Sequence, residues 1–202
     1  MIRVMVGTSN PGKQQEYRDL LADVPAEWIG PAAVGLQDFE ADESGTSFLA
    51  NARRKARSYA QAAGLPTLAD DSGLVVDALD GAPGIYSARY AGPGASDEDR
   101  YRKLLGALQG VPEAARAARF VCVVALALPD GTTHVARGTF AGRIGDAPCG
   151  THGFGYDPVF VLPDGRHLAE LPGHEKHVVS HRGRALAALK PTLLAVLASL
   201  NA

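Results

Sequence analysis

The chain has 202 residues, of which 46% are hydrophobic and 21% charged, the composition of a soluble globular protein rather than a disordered one. That length suits one domain of ordinary size, or two intimate lobes, with a substantial core. A formal net charge of −2 supplies no global drive toward nucleic acid or an anionic membrane, while leaving room for a local basic cleft that takes a small anion.

The first unit reads strand, turn, helix: Arg3 to Val6 is short and β-prone, Gly7 to Gly12 turns, and Lys13 to Leu21 is compatible with a helix. Pro11 fits the first helical turn, where a missing N–H costs nothing. This end lacks the apolar region and cleavage signature of a secretory signal, and the apolar stretches near Phe120 to Leu128 and Leu193 to Leu200 are too short to span a bilayer. An irregular acidic segment follows, with Asp38, Glu40, Asp42 and Glu43 close together.

The clearest helix carries Phe48, Ala52, Ala56, Tyr59 and Ala63 at helical spacing, with Thr46 or Ser47 as its cap and Gly64 as its stop. Asn51 and Lys55, four apart, share another face. Leu65 to Ala69 is extended, Asp70-Asp71-Ser72-Gly73 reads as a strand end, and Leu74 to Leu79 is a second apolar run. Glycines and prolines then mark loops around Ile85 to Tyr90. Ser96 opens a helix to about Leu108, with Asp97, Glu98 and Asp99 favourably placed in its first turn.

Ala117 to Leu128 and Thr132 to Phe140 form a long hairpin joined by Pro129-Asp130-Gly131. A short strand is expected at Pro158 to Leu162, after the glycine-rich stretch Gly150 to Gly155, and a helix from Arg184 to Leu200 that Pro191 splits or kinks. Interleaved helices and strands predict an α/β fold with a mixed sheet, and the hairpin argues against a purely parallel, doubly wound one. Cys122 lies in an apolar run and reads as a buried structural residue; Cys149 sits in a glycine-rich turn and is given no redox role. Sparse cysteines suit a reducing, cytoplasmic setting.

The chemistry is carried by short polar segments. Thr8, Ser9, Asn10, Pro11, Gly12 and Lys13 lie between strand and helix, where free backbone N–H groups, hydroxyls and a flexible cation suit a phosphate. The same residues also suit a plain solvent-facing helix start, and the spacing is not that of a P-loop. Lys55 is either a second phosphate contact or an ordinary solvated helix lysine. Asp70, Asp71 and Glu43 offer the hard oxygen ligands that Mg²⁺ takes while bridging substrate phosphates, and a carboxylate left free can accept a proton from attacking water. Local turn bonding at Asp70 or Asp71 and solvation of Glu43 are the structural alternatives.

Phe154-Gly155-Tyr156-Asp157 combines stacking surface, close approach and an acceptor for base N–H groups, although aromatic residues at a strand entrance also serve as core. Lys176, His181 and Arg182 add donors that favour a 6-oxo purine over adenine, because an unpaired buried base group is costly. As a lone histidine, His181 is better explained by packing or capping the helix. The histidines show no metal-ligand spacing, so a zinc hydrolase is disfavoured.

Taken in order, Thr8 to Lys13, Ala69 to Gly73, Gly81-Ala82-Pro83-Gly84-Ile85-Tyr86-Ser87-Ala88-Arg89-Tyr90, Gly153 to Pro158 and Ser180-His181-Arg182 resemble the inosine/xanthosine triphosphate pyrophosphatase, or Ham1-like, family, from Val6 nearly to Leu189. The resemblance implies an elongated, mixed-sheet α/β fold whose two lobes enclose a nucleotide cleft, within a single domain over 1–202, and a homodimer. It implies Mg²⁺-dependent hydrolysis of dITP, ITP, XTP and dXTP to monophosphate and pyrophosphate, with purine nucleoside triphosphates rather than nucleic acid or membrane as partners.

By the same resemblance Asp71 is the proton acceptor and a metal ligand, Glu43 the other ligand, and Asp70 a further candidate ligand. Thr8 to Lys13, Lys55 and Ser72 contact substrate, and Phe154 to Asp157, Lys176, His181 and Arg182 bind the base. His152 and Pro172-Gly173-His174 depart from the family's usual pattern without removing a catalytic group. The alternatives are a Maf-like pyrophosphatase for modified pyrimidine nucleotides, a non-catalytic nucleotide-binding module, and an RNA-binding domain.

Overall fold

The computed structural model describes residues 1–201. Six strands, β1 (Arg3–Val6), β2 (Glu27–Ile29), β3 (Thr67–Val76), β4 (Ala117–Ala127), β5 (Thr133–Ile144) and β6 (Phe160–Val161), form one sheet in the order β2-β1-β3-β4-β5-β6. β1 pairs parallel to both β2 and β3, whereas β5 and β6 are antiparallel, so the sheet is mixed as expected. β4 and β5 are the predicted hairpin, closed by Leu128 N–H donating to the Thr132 carbonyl. β5 runs four residues beyond the expected end at Phe140 because Arg143 and Ile144 pair with β6.

The helices are α1 (Pro11–Leu20), α2 (Phe48–Ala63), α3 (Asp97–Ala107), α4 (Gly173–Val179) and α5 (His181–Leu200). α2 follows its sequence signals closely: Ser47 accepts from Ala50 N–H at the start, and Gly64 ends it at φ 64°, a left-handed conformation that glycine adopts without a Cβ penalty. α1 begins at Pro11, two residues before the expected start, because the Asn10 side chain caps it by accepting from Lys13 N–H. Pro191 does not split α5. Pro191 and Ala187, whose carbonyl loses its helical donor, are both exposed, so that carbonyl is open to solvent rather than buried without a partner.

Strand β2, helix α4 and a 3₁₀ helix at Gly84–Arg89 arise where the sequence shows only irregular segments. A second difference matters for the chemistry. Asp70-Asp71-Ser72-Gly73 does not end a strand; it lies inside β3, which runs through both apolar flanks without a break.

The described residues fall into two compact units, with β3, β4 and β5 each contributing residues to both. The first comprises Met1–Asp71, Cys122–Gly138 and the segment from Arg182 onward. Its core joins Val4, Val6, Tyr17, Leu21, Leu68, Val124 and Leu126 to Ala185, Leu186, Leu189, Leu193 and Leu197 of α5, while Ala52, Ala56 and Ala60 of α2 pack on Ala69, Val123, Ala125 and Ala127. α5 is long and apolar enough by composition to cross a membrane, and here its apolar face is used by this core. The second unit comprises Ser72–Val121 and Thr139–His181 and is built around Leu74, Leu104, Phe120, Phe140, Ile144, Tyr156, Phe160 and Leu168.

Candidate active site

Successive residues of a strand point to opposite faces, so β3 directs Asp70 and Asp71 apart. Asp70 shares the side of Leu68, toward α1 and α5, and is 1% exposed. Its Oδ2 accepts from Lys13 Nζ at 2.9 Å and Arg182 Nη2 at 3.1 Å, and its Oδ1 accepts from the Tyr17 hydroxyl at 3.2 Å. Burial opposes ionisation, but the charges of Lys13, Arg182 and Lys55 together outweigh it and hold the Asp70 carboxyl well below its usual range. Arg182 is also 1% exposed, and its Nη1 donates to Glu16. Burial opposes its charge too, yet Asp70 and Glu16 keep the guanidinium protonated more firmly than usual.

Asp71 shares the side of Ala69, toward α2. Its Oδ2 accepts from Asn51 Nδ2 at 3.0 Å. Burial dominates here and pushes its carboxyl up to about 6, despite the opposing hydrogen bond from Asn51 and the charges of Lys13 and Lys55. Lys55, one turn along α2 from Asn51, pairs through Nζ with Glu43 and approaches the Asp70 carbonyl at 3.5 Å. Burial works against the Lys55 charge, but Glu43, Asp70 and Asp71 outweigh it and raise its affinity for the proton.

The turn before α1 is organised by its own side chains. Thr8 Oγ1 accepts from Asn10 N–H at 3.2 Å, the Asn10 Oδ1 accepts from Lys13 N–H at 2.9 Å, and the side chain of Gln14 donates to the Thr8 carbonyl at 2.8 Å. Lys13 is thereby carried on a rigid helix start. Of the predicted residues in the first unit, the structure gathers Lys13, Asp70 and Arg182 in one hydrogen-bonded set, and Lys55 with Glu43 in another. Asn51, Glu16 and Tyr17 were not singled out as site residues from sequence. The shared face of Asn51 and Lys55 was the available signal for the first; the other two read as ordinary helix positions.

In the second unit, Lys176 and Asp157 form a buried ion pair at 2.6 Å, and the same Asp157 Oδ2 accepts from Phe154 N–H at 2.9 Å. The Lys176 ammonium lies 4.7 Å from the Phe154 ring centroid, a cation–π contact. Tyr156 is buried and its hydroxyl donates to the Ser87 carbonyl at 2.8 Å, whereas Phe154 is only half-buried. The His181 ring stacks on Phe120 with centroids 4.7 Å apart and planes 13° from parallel. Gly153 has no room for a side chain, because a Cβ there would lie 2.0 Å from Asp157 Oδ2.

Residues 4–192 match the model of the Ham1 family. The chain belongs to that family. It is 50% identical over 189 residues to a dITP/XTP pyrophosphatase of Yersinia pseudotuberculosis, covering 92% of this chain and 95% of that one. A Ham1 protein structure from Coxiella burnetii superimposes with a TM-score of 0.86 at 40% identity, over 96% of this chain and 98% of that one. A dITP/XTP pyrophosphatase structure from Mycobacterium abscessus gives 0.75 at 43% identity, covering 94% and 100%. The matched span contains every one of the ordered polar segments.

Proposed function

We propose that the protein is a nucleoside-triphosphate pyrophosphatase that hydrolyses deaminated purine nucleotides, dITP, ITP, XTP and dXTP, to the monophosphate and pyrophosphate. The observation that carries this reading is the division of labour on β3: Asp70 is an anchor whose carboxyl is held well below its usual range, while its neighbour Asp71 is pushed up to about 6 within reach of the charges of Lys13 and Lys55. Phosphoryl transfer needs positioning and charge stabilisation more than covalent chemistry, and those four groups supply both.

Glu43 and Asp71 suit Mg²⁺ by donor chemistry. Both are carboxylates, and the Lys55 ammonium already lies on Glu43 as a cationic partner. Among the described residues no three His, Cys, Asp or Glu side chains gather as a closed metal cage, which fits an ion that draws its remaining oxygen ligands from phosphate and water. Asp70 suits a ligand role poorly, since both its oxygens already accept from Lys13, Arg182 and Tyr17. When bound, Mg²⁺ would offset phosphate charge and order the attacking water.

Asp71 accepts a proton from that water at Oδ1, its Oδ2 being held by Asn51. Lys13 and Lys55 stabilise the phosphate charge, with Thr8, Ser9, Asn10, Pro11, Gly12 and Ser72 as substrate contacts. Phe154 stacks on the base, with Gly155, Tyr156, Asp157, Lys176 and His181 shaping recognition of the 6-oxo group. Arg182, expected with the base-binding residues, is 1% exposed and paired with Asp70 and Glu16, so it supports the site as their counter-charge. The reading extends to one functional domain over 1–202, a homodimer and a cytoplasmic setting, for which the family resemblance is the support.

The test is a turnover panel of dITP, ITP, XTP, the four ordinary deoxynucleoside triphosphates and modified pyrimidine triphosphates, with and without Mg²⁺, with the phosphate products separated by chromatography. Metal-dependent pyrophosphate release favouring dITP and XTP is expected. Stepwise orthophosphate release, preference for modified pyrimidines, or tight binding without hydrolysis contradicts it.

A further inference from the structure

Asp97 opens α3, where an acidic residue is ordinarily explained by the helix dipole. Here the helix start is satisfied without it. Ser96 Oγ accepts from Asp99 N–H at 3.1 Å, and Asp99 Oδ2 accepts from Ser96 N–H at 2.9 Å, a complete capping box. One oxygen of the Asp97 carboxylate instead reaches outside its own helix. Its Oδ2 accepts the N–H of Gly155, 58 residues away in sequence, at 2.7 Å. Its Oδ1 is held by Arg100, whose other arm donates to the Ala95 carbonyl at 2.6 Å, so the carboxylate is fixed at both oxygens.

The Gly155 N–H belongs to the peptide plane that follows Phe154. Fixing that N–H fixes the ψ angle of Phe154 and, with it, the direction from which the aromatic side chain leaves the loop. Other groups hold the rest of the loop: Asp157 fixes the preceding peptide through Phe154 N–H, Lys176 lies against the Phe154 ring, and Tyr156 anchors the far side through the Ser87 carbonyl. Gly155 itself sits at φ 67°, where a side chain is disfavoured. Glycines thus flank the half-buried Phe154 on both sides, and on the Gly155 side Asp97 is the group that holds the backbone.

We propose that Asp97 is a positioning residue for base recognition, acting through the Gly155 amide to aim the Phe154 ring. The proposal rests on the reading of Phe154 to Asp157 as the base-binding loop. It assigns Asp97 no contact with substrate and no part in proton transfer, so its loss weakens the hold on the base without touching the phosphate chemistry.

Steady-state kinetics of Asp97→Ala and Asp97→Asn with dITP and Mg²⁺ test it, together with amide hydrogen exchange at Gly155. Removing a charge-assisted hydrogen bond predicts a rise of about tenfold in KM for Asp97→Ala, with kcat within about twofold of the wild type. Asp97→Asn keeps an acceptor oxygen and recovers most of that KM. Gly155 exchange is faster in Asp97→Ala than in Asp97→Asn. A purely structural role for Asp97 instead predicts a lower melting temperature with KM unchanged, and an unchanged KM in either folded variant that exposes the Gly155 amide overturns the proposal. Unchanged Gly155 exchange in Asp97→Ala overturns its geometry. A wild-type protein that does not turn over dITP removes the base-binding reading and this role with it, an outcome distinguished by the wild-type assay alone.

Discussion

Asp70 and Asp71 are consecutive on β3 and face opposite sides of it, and their surroundings drive their carboxyls in opposite directions. Asp70 is buried among Lys13, Arg182 and Tyr17 and stays ionised; Asp71 is buried beside the neutral Asn51 amide and holds its proton up to about 6. Strand alternation therefore gives two chemically identical side chains opposite surroundings, the split expected of an anchor and a base.

Asp71→Asn is expected to lower kcat by roughly 10²–10⁴-fold with Mg²⁺ and dITP, the usual contribution of a general base. The same change should stabilise the metal-free fold. A carboxyl whose folded pKa lies near 6 contributes stability below its unfolded value near 4, and that stability is lost as pH rises through 6. At pH 7.5 with chelator, Asp71→Asn should gain about 1–3 kcal/mol in urea unfolding, and at pH 4 the gain should vanish. An inactive variant that is also less stable at pH 7.5 contradicts this reading of Asp71.

Asp70→Asn is expected to do the reverse. It leaves Arg182 and Lys13 short of their buried counter-charge and should cost about 3–5 kcal/mol at pH 7, measured by urea unfolding. Because the Asp70 carboxyl is held below its usual range, the stability it contributes is present above pH 4 and lost only as pH falls through its folded pKa. The penalty should therefore shrink only under strong acid.

Lys55→Met separates metal binding from phosphate stabilisation. Lys55 competes with any metal for Glu43, so the variant should bind Mg²⁺ or Mn²⁺ more tightly in calorimetry without nucleotide, by about two- to fivefold, as expected for loss of one partly screened ion pair. Its kcat/KM for dITP should nonetheless fall by at least about tenfold if Lys55 has the phosphate role proposed above.

Phe154→Ala should raise the KM for dITP by about 5- to 150-fold, the range expected for one stacked base, with a smaller effect on kcat. Ser96→Ala, which removes a helix cap, should cost about 1 kcal/mol of stability and leave the KM for dITP unchanged.

Much of the framework is legible in the sequence because its signals are local. Ser47 and Gly64 bound α2, and the β4–β5 hairpin follows from two apolar runs around Pro129-Asp130-Gly131. The fate of Asp70 and Asp71 is not legible in this way. Acidic residues inside a strand contradict β-propensity; for Asp70 the charges of Lys13 and Arg182, supplied from α1 and α5, offset the burial, while Asp71 is met by the Asn51 amide of α2. Glu16 and Asp97 read as surface residues for the same reason, since each acts on a partner distant in sequence, Arg182 in one case and Gly155 in the other. Helix α4 was hidden by Pro172-Gly173, a turn signal that here supplies an extended cap and the first helical residue.

The most direct test of the account is hydrolysis of dITP in ¹⁸O-labelled water with Mg²⁺, followed by mass spectrometry of both products. Water attack at the phosphorus that releases pyrophosphate predicts one labelled oxygen in dIMP and none in pyrophosphate. Label in orthophosphate or pyrophosphate, with dIMP unlabelled, would contradict it.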